Sequence, residues 1–312
     1  MYQEKKPKVS VCIITFNHEK YIRQCLQSVI DQETNFDFEI IVGDDCSTDG
    51  TRAIIQEFAE KYPVIVKPIF HKKNVGGNPN YFSVHSLAIG KYVAHIDGDD
   101  YALPGKLQKQ ADKLDQEPNI NILWHRMELV DDNGIRRAHP DLKAPYLNVN
   151  ISRADLMLYG PFGQHSSTMY RKENFSQRYV ANDQAIDWLF SIELITDGSG
   201  FMLQDLLGAY SVHSGGLSGG AMANSKVRGL ICYCQLNLMK RFPEHKSLVA
   251  LRALFTAVLD FIHFRKYFIN SLSVLIQAKT IPKLSATFKL FKFYRFSKLP
   301  SEFKSGHKKE YK

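Results

Sequence analysis

The stretch VAHIDGDDYALPGKL (93–107) joins a largely apolar run to a group of three carboxylates. Asp97, Asp99 and Asp100 are separated only by Gly98, and like charges at this spacing repel one another. An apolar run that ends in acids is typical of a buried strand whose last residues are polar. The stretch therefore predicts a buried strand that ends in a cluster of acids.

The residues before this stretch alternate between strand-like and helix-like patterns. Apolar, β-rich runs predict strands at VSVCIIT (9–15), FEIIVGDD (38–45) and VIVKPIF (64–70). Helical periodicity predicts helices between them, with Asn17 as an N-cap of the first, and a further helix near 81–89. Strands that alternate with helices indicate an α/β fold with a Rossmann-like, mostly parallel sheet flanked by helices.

Acidic residues follow two of these predicted strands, at the edge where such sheets bind ligands. Asp44 and Asp45 end the second strand, and Asp97 and Asp99 end the fourth. Two carboxylates one residue apart suit a hard divalent cation such as Mg²⁺ or Mn²⁺. A solvated acidic turn that caps a helix beginning at Pro104 explains the same residues without a ligand. The spacing alone leaves both interpretations open.

Several classes of protein are disfavoured by what the sequence lacks. TFNHEKY (15–21) stands where a GxGxxG or GxxxxGK[ST] loop would follow the first strand, so dinucleotide-binding and P-loop readings lack their phosphate cradle. Five cysteines at irregular spacing argue against a disulfide scaffold and suit a reducing compartment. Since the sequence has no apolar signal core and no uncharged apolar run near ~18 residues, we expect a cytoplasmic protein.

The second half carries two further candidate site residues. Asp187 lies among apolar neighbours on a predicted helix (183–195). It is either a shielded acid that serves as a general base or an acid on the surface of the helix. His213 ends a predicted strand (201–213) before a Gly/Ser-rich loop. It is either a ligand of the site or a histidine with a structural role. HSSTMYRK (165–172) predicts another strand.

The C-terminal part is predicted to be helical from about Lys226, with a break near Pro243. Nine Lys or Arg against two Glu give residues 281–312 a net charge of +7, out of +8 for the whole chain. KLSATFKLFKFYRFSKLP (283–300) interleaves basic and aromatic residues, as in helices that lie on anionic membranes. A helix packed on the main domain explains the pattern equally well. Nucleic-acid binding is disfavoured because no recognised nucleic-acid module accompanies the charge.

Blocks of the sequence resemble, in order, the family 2 glycosyltransferases of the GT-A fold. They are VSVCIITFNHEKYIRQCLQSVIDQ (9–32), EIIVGDDCSTDGT (39–51), NVGGNPNYFSVHSLAIGKYVAHIDGDDYALPGKL (74–107), AIDWLFSIEL (185–194) and LLGAYSVHSGGLS (206–218). The second block is similar to the family element E-I-I-V-V-D-D-G-S-T-D-G-T, and the third contains its L-D-x-D-D pattern as IDGDD. Two positions depart from the family: Ser211 replaces a usual arginine, and Ile186 replaces an acid that many relatives carry.

The resemblance implies a GT-A catalytic domain over 1–222, with a nucleotide-sugar half at about 1–100 and an acceptor half at about 101–222, and a helical, basic region over 223–312. It implies an inverting, metal-dependent enzyme. The donor is a nucleotide-diphosphate sugar, expected to be a UDP-sugar, and the acceptor is a hydroxyl of a glycan or lipid-linked saccharide. The family's common setting is polysaccharide or cell-surface glycan synthesis, which suits an enzyme at the inner face of the cell membrane.

By matched position, the resemblance implies a role for each candidate residue, with Mn²⁺ or Mg²⁺ as the cofactor. Thr15, Asn17 and Asp45 would contact the nucleoside, with Asp45 on the uracil edge, and Asp97 would contact ribose or sugar hydroxyls. Asp99 and His213 would bind the metal, and Asp187 would be the general base. Two alternatives remain. One is a nucleotidyltransferase, which would need a glycine- and lysine-rich phosphate loop, and the other is a non-catalytic relative that binds sugar nucleotides or glycans.

Overall fold

The computed structural model describes residues 6–138, 149–175, 187–213, 225–262 and 268–279, and all elements below lie within these ranges. The strands are β1 (Val9–Thr15), β2 (Phe38–Asp44), β3 (Val66–Phe70), β4 (Tyr92–Asp97), β5 (Tyr101–Ala102), β6 (Ile120–Asp131), β7 (Arg136–Ala138), β8 (Asn150–Ile151), β9 (Met169–Arg171) and β10 (Ser199–Val212). The helices are α1 (Ile22–Ile30), α2 (Thr51–Lys61), α3 (Gly77–Leu87), α4 (Lys106–Gln116), α5 (Arg153–Tyr159), α6 (Asp187–Leu194), α7 (Ser225–Arg241), α8 (Lys246–Ile262) and α9 (Phe268–Ala278).

Four parallel strands in the order β3–β2–β1–β4 form the first half of the sheet. β1 is buried along almost its whole length because both faces of the sheet are covered, which explains its continuous apolar sequence. Val11 and Ile13 pack with Leu26 of α1, whereas Cys12 packs with Val84 of α3 on the opposite face. The predicted α/β architecture is confirmed, and helices on the two faces leave the carboxyl edge of the strands open for a site.

Helix α1 forms because its apolar residues recur on one face at a helical spacing. The buried residues of this face are Ile22, Cys25, Leu26 and Val29. Burial of each aliphatic side chain contributes roughly 1.5–3 kcal/mol. The prediction that Asn17 caps this helix is wrong, because the N-cap is Tyr21 and Asn17 lies four residues earlier than that with a left-handed φ of 55°.

The second half of the sheet mixes strand directions. β9 lies antiparallel between β4 and β6, and β10 runs parallel to β6. Only the end of the predicted strand HSSTMYRK is extended, as β9, because His165–Ser167 forms a 3₁₀ turn instead. The backbone N–H of His95 on β4 donates to Thr168 O at 3.0 Å, so this turn is held beside the acidic end of β4.

The C-terminal helices pack on the sheet domain rather than forming a core of their own. Leu238 of α7, Val249 of α8 and Val274 of α9 share one hydrophobic cluster with Trp188 of α6 and with strand residues. A short 3₁₀ turn from Pro243 separates α7 from α8, as the sequence predicts. The division at residue 222 stays a prediction. The basic segment 283–300 lies outside the described residues, and among those described no helix is long and apolar enough to cross a bilayer.

Candidate functional site

Three neighbouring strands bring predicted site residues to one edge of the sheet. Thr15 at the end of β1 lies opposite Asp44 of β2, and Ile14 lies opposite Asp97 of β4. Adjacent strands are ~4.8 Å apart, so Asp45 and Asp97 flank Thr15 from its two sides. Thr15 Oγ1 is buried and has no hydrogen-bond partner among the described residues. A buried hydroxyl without a partner is costly, and a bound polar ligand would satisfy it.

Asp45 uses its carboxylate to hold the loop that precedes α3. Oδ1 accepts the backbone N–H of Val75 at 2.6 Å, and Oδ2 accepts that of Gly76 at 2.9 Å. The residue is only 3% exposed. Each carboxylate oxygen has a second lone pair, so these bonds leave room for one further donor at each oxygen.

Asp44 has a structural role through one of its carboxylate oxygens. Its Oδ2 accepts Arg52 Nε–H at 2.5 Å and the N–H of Ser47 at 3.1 Å, and the side chain is fully buried. The guanidinium of Arg52 also donates to the carbonyl of His71, which ties α2 to the end of β3. The sequence pattern grouped Asp44 with the site acids, but its Oδ2 is committed to Arg52, and its Oδ1 is buried with no hydrogen-bond partner among the described residues.

Asn17 joins the loops that follow β1 and β2. Its N–H donates to Ser47 Oγ at 2.9 Å, and its Oδ1 accepts the N–H of Thr48 at 2.8 Å. The left-handed backbone at Asn17 suits asparagine better than most other residues. The exposed side chain therefore fixes the shape of the loop beside Thr15.

The three acids after β4 point toward different partners, which explains how the chain tolerates them. Asp97 Oδ1 lies 3.1 Å from His95 Nε2, Asp99 Oδ2 lies 2.9 Å from His213 Nε2, and Asp100 is buried. Gly98 is required between them because an added Cβ would lie 2.7 Å from Thr15 Oγ1.

Asp97 and Asp100 are shifted in opposite directions. Burial opposes ionisation of Asp97, but the hydrogen bond from His95, together with the charges of His95, His165 and His18, outweighs burial and holds the pKa of Asp97 below its ordinary value. Burial, then the charges of Asp99 and Asp97, raise the pKa of Asp100 well above its ordinary value. Asp100 accepts hydrogen bonds from Ser166 Oγ and from the N–H of Ser211, so it anchors the turn from inside.

Asp99 lies near two imidazole groups, one from the loop after β1 and one from the end of β10. His213 Nε2 is its hydrogen-bond partner, and His18 Nε2 lies 3.9 Å from the same oxygen. Tyr21 stacks on His213 with ring centroids 4.8 Å apart and donates its hydroxyl to Asp132 Oδ1 at 2.8 Å. The carboxylate of Asp99 is the kind of oxygen ligand that Mn²⁺ and Mg²⁺ prefer, so it fits the implied cation.

Asp187 begins α6, and its Oδ1 accepts the N–H of Trp188 at 2.8 Å. A stack of rings connects this helix to the acidic turn, because Phe190 stacks on Tyr81 at 4.9 Å and Tyr81 stacks on His165 at 5.3 Å. Burial first, and then charges that include Asp97 and Asp187, raise the pKa of Tyr81. The charges of Asp97 and Asp187 therefore both act on one buried ring.

Several residues at this edge were missed by sequence reasoning. His18 and His95 are polar residues in predicted elements, and Ser166 and Lys106 have no motif of their own. Lys106 is buried, and its Nζ lies 2.7 Å from Ser166 O and 2.8 Å from His125 Nε2. Burial lowers the pKa of Lys106 to about 7. His95, directly before the IDGDD block, was the available signal.

Comparison with known proteins identifies the family. The family description "Glycosyl transferase family 2" matches residues 10–178. The chain belongs to this family. The uncharacterized protein Rv1520 of Mycobacterium tuberculosis is 34% identical over 211 residues, which cover 67% of this chain and 60% of that protein. The chain thus spans about 60% of the length of that relative.

Two further proteins are similar to this chain. TarS of Staphylococcus aureus, a poly(ribitol-phosphate) β-N-acetylglucosaminyltransferase, is 31% identical over 147 residues, 47% of this chain and 25% of TarS. The crystal structure of TarS 1–349 with UDP-GlcNAc has a TM-score of 0.63 at 21% identity over 88% of this chain and 82% of that one. The structure of the mannosyltransferase PcManGT of Pyrobaculum calidifontis with GDP-Man and Mn²⁺ has a TM-score of 0.59 at 13% identity. The match covers 96% of this chain and 83% of that one. These structures share the GT-A fold that the sequence predicts.

Proposed function

We propose that this glycosyltransferase moves a sugar from a UDP-sugar to a hydroxyl of a glycan or lipid-linked acceptor, with inversion at the anomeric carbon. The observation that carries the proposal is the meeting of Thr15, Asp45 and Asp97 at the carboxyl ends of three adjacent strands, next to Asp99. Parallel α/β sheets bind ligands at this edge.

The donor binds along that edge. The unpartnered hydroxyl of Thr15 and the free lone pairs of Asp45 face the nucleoside, with Asp45 accepting from the uracil N–H. Asn17 shapes the loop on the same side, and ionised Asp97 accepts hydrogen bonds from ribose or sugar hydroxyls. The name of TarS makes UDP-GlcNAc the first donor to screen.

Asp99 and His213 hold the divalent cation, Mn²⁺ or Mg²⁺, and His18 lies close enough to join them after a small movement. When bound, the ion supplies positive charge that stabilises the departing diphosphate. The carboxylate also serves in the absence of the ion by accepting the imidazole N–H, so the chain need not leave it unpaired.

Asp187 acts as the general base. It takes the proton of the acceptor hydroxyl, whose oxygen forms a bond to the anomeric carbon from the face opposite the diphosphate. The bond from that carbon to the diphosphate oxygen breaks, and its electron pair leaves with UDP. A positioned base of this kind contributes ~10²–10⁴-fold to the rate.

Asp187→Asn tests this assignment. We expect transfer to fall ~10²–10⁴-fold while donor affinity, measured by calorimetry with Mn²⁺, stays unchanged, because the base meets only the acceptor. Asp197→Asn is the matched control, since Asp197 is an exposed acid just past the other end of α6. Near-full transfer by Asp187→Asn would remove Asp187 from the mechanism.

A non-catalytic relative that binds sugar nucleotides, and a nucleotidyltransferase, are the alternatives. An active glycosyltransferase releases UDP slowly from its donor by hydrolysis when no acceptor is present, which a binding protein does not do. A nucleotidyltransferase would instead release pyrophosphate from a nucleoside triphosphate. Both products are measured on the purified chain with Mn²⁺, so one assay separates the three functions.

The enzyme works in polysaccharide or cell-surface glycan synthesis, at the inner face of the cell membrane. In support, α9 exposes Ile269, Leu272 and Ile276 at helical spacing, directly before the basic residues 281–312. We expect the chain to float with anionic vesicles, and serine at all three positions to weaken that binding. Val64→Ser, at a residue 86% exposed, is the control for lost apolar surface. Equal flotation of all variants would argue against contact through α9.

A further inference from the structure

A second group of metal-ligand atoms lies beside the donor edge. His95 Nε2 and His165 Nδ1 lie 3.1 Å and 3.9 Å from the same oxygen, Asp97 Oδ1. All three ligand atoms lie within 4.8 Å of one another. The rings of His95 and His165 are 3.8 Å apart, so the cluster is compact before any ion binds. Asp99 and His213 do not belong to it.

The donor set and its spacing suit zinc. Two imidazoles and one carboxylate are the protein ligands of many open zinc sites, with bonds of ~2.0–2.1 Å. Ligand atoms at tetrahedral angles and such bond lengths are ~3.3 Å apart. The distance from Asp97 Oδ1 to His95 is close to that value, and the distance to His165 needs a shift of about half an ångström.

His165 has an unused nitrogen in the right place. At 3.9 Å, Nδ1 is too far from Asp97 for a hydrogen bond, and within the described ranges its ring makes no hydrogen bond to another residue. The ring nevertheless stacks on Tyr81 and packs at a tilt against His95, and Nδ1 is the nitrogen that lies 3.9 Å from the carboxylate. A cation between the two groups would use both.

The hydrogen bonds behind His95 can prepare it as a ligand. His95 Nδ1 lies 2.9 Å from His85 Nε2, and His85 Nδ1 lies 2.7 Å from the hydroxyl of Tyr170. If each ring moves its proton from Nε2 to Nδ1, then His95 Nε2 is bare and Nδ1–H donates to His85. No proton leaves the protein, and metal-bound histidines commonly have such a partner.

We propose that His95, Asp97 and His165 bind a transition-metal ion of the zinc class, at a site separate from Asp99 and His213. The ion enters past Asp97 and His165, whose side chains are 28% and 19% exposed, and keeps its fourth position open. On the proposed function, Asp97 also receives the donor. Zinc at this site and the UDP-sugar therefore exclude one another, which gives the enzyme an inhibitory site.

Calorimetric titration with ZnCl₂ alone tests the site, using the chelator-treated full chain carrying Asp99→Asn, which removes the other cation site. This chain should bind one zinc ion. Adding His165→Gln should lower zinc affinity tenfold or more, whereas adding His245→Gln, at a half-buried histidine after α7, should not change it. Circular dichroism confirms that each variant is folded. Failure of the Asp99→Asn chain to bind zinc, or equal binding by all variants, would overturn the proposal.

A second experiment tests the inhibition in the enzyme with Asp99 intact and with excess Mn²⁺. Zinc should inhibit transfer, and His165→Gln should raise the zinc concentration for half inhibition tenfold or more while His245→Gln leaves it unchanged. Equal inhibition of these variants would overturn the exclusion of donor by zinc. Since the titration uses no donor, failure of the proposed transfer reaction would leave the zinc result standing.

Discussion

The ends of β2 and β4 look alike in sequence but differ in what holds their acids. At the end of β2, Asp44 is bound to Arg52, and both oxygens of Asp45 accept backbone N–H groups. At the end of β4, Asp97 and Asp99 meet the rings of His95 and His213. Backbone amides cannot be displaced without unfolding a loop, whereas an imidazole can exchange its proton for a metal ion. The β2 acids therefore build the edge, and the β4 acids remain available for charged ligands.

The inner side of the β4 turn shows why this division is possible. Asp100 is enclosed by Ser166 and Ser211, and Lys106 lies behind them on the carbonyl of Ser166. Burial and the neighbouring acids raise the pKa of Asp100, so a third negative charge in the turn is disfavoured when no cation is bound. One buried acid thus supports two that face the site.

The largest effect should come from the β4 end. We expect Asp99→Asn to lower transfer ~10²–10³-fold, the range for loss of one group that stabilises developing charge. Metal-dependent UDP affinity, measured by calorimetry, should fall as well. The free energy of unfolding in urea should change by no more than ~0.5 kcal/mol, because the substitution reduces repulsion between like charges. Asp205→Asn, an exposed acid on β10, is the control. If Asp99→Asn keeps metal-dependent UDP binding, the acids at the two strand ends do not differ as described.

At the β2 end, the same change should act on stability. Asp45→Asn leaves one N–H of Val75 or Gly76 facing an amide N–H₂ group, and a buried unsatisfied donor costs ~1–3 kcal/mol. We expect the free energy of unfolding in urea to fall by that amount, and amide exchange at these two residues to become faster. Asp31→Asn, at an exposed residue after α1, should change neither quantity. Unchanged exchange at Val75 and Gly76 would show that Asp45 does not hold the loop.

The smallest effect concerns the buried support of the β4 turn. Burial lowers the pKa of folded Lys106 to about 7, against 10.5 in the ordinary lysine. Between these values the unfolded chain binds one more proton than the folded chain, so this group makes stability rise with pH, by at most ~1.4 kcal/mol per unit. Below pH ~7 both forms are protonated and the contribution is constant.

Lys106→Met should remove this dependence. We expect the difference in unfolding free energy between the original chain and the variant to shift in favour of the original chain, by about 1 kcal/mol per unit, as the pH rises above 7. Lys109→Met, at an exposed lysine of α4, should give a profile parallel to that of the original chain. A parallel profile for Lys106→Met as well would mean that Lys106 stays charged in the fold.

The sequence by itself determined the edge of the sheet. Apolar runs interrupted by helical periodicity specify parallel strands, and parallel strands place the residues after β1, β2 and β4 at one edge. The positions of Thr15, Asp45 and Asp97 follow from this local pattern. The sequence could not distinguish Asp44 from Asp45, because alternation along the chain does not show which neighbouring element each side chain meets.

Only the tertiary structure decided the partners of these acids. His213 reaches Asp99 across 114 residues, and Ser166 reaches Asp97 across 69, through an antiparallel strand inserted into the sheet. No periodicity records such contacts, because they depend on how β9 and β10 pack against strands formed much earlier in the chain. The same packing places His165 beside His95. The local sequence pattern thus located the acids, and long-range packing determined which imidazole and hydroxyl groups contact them.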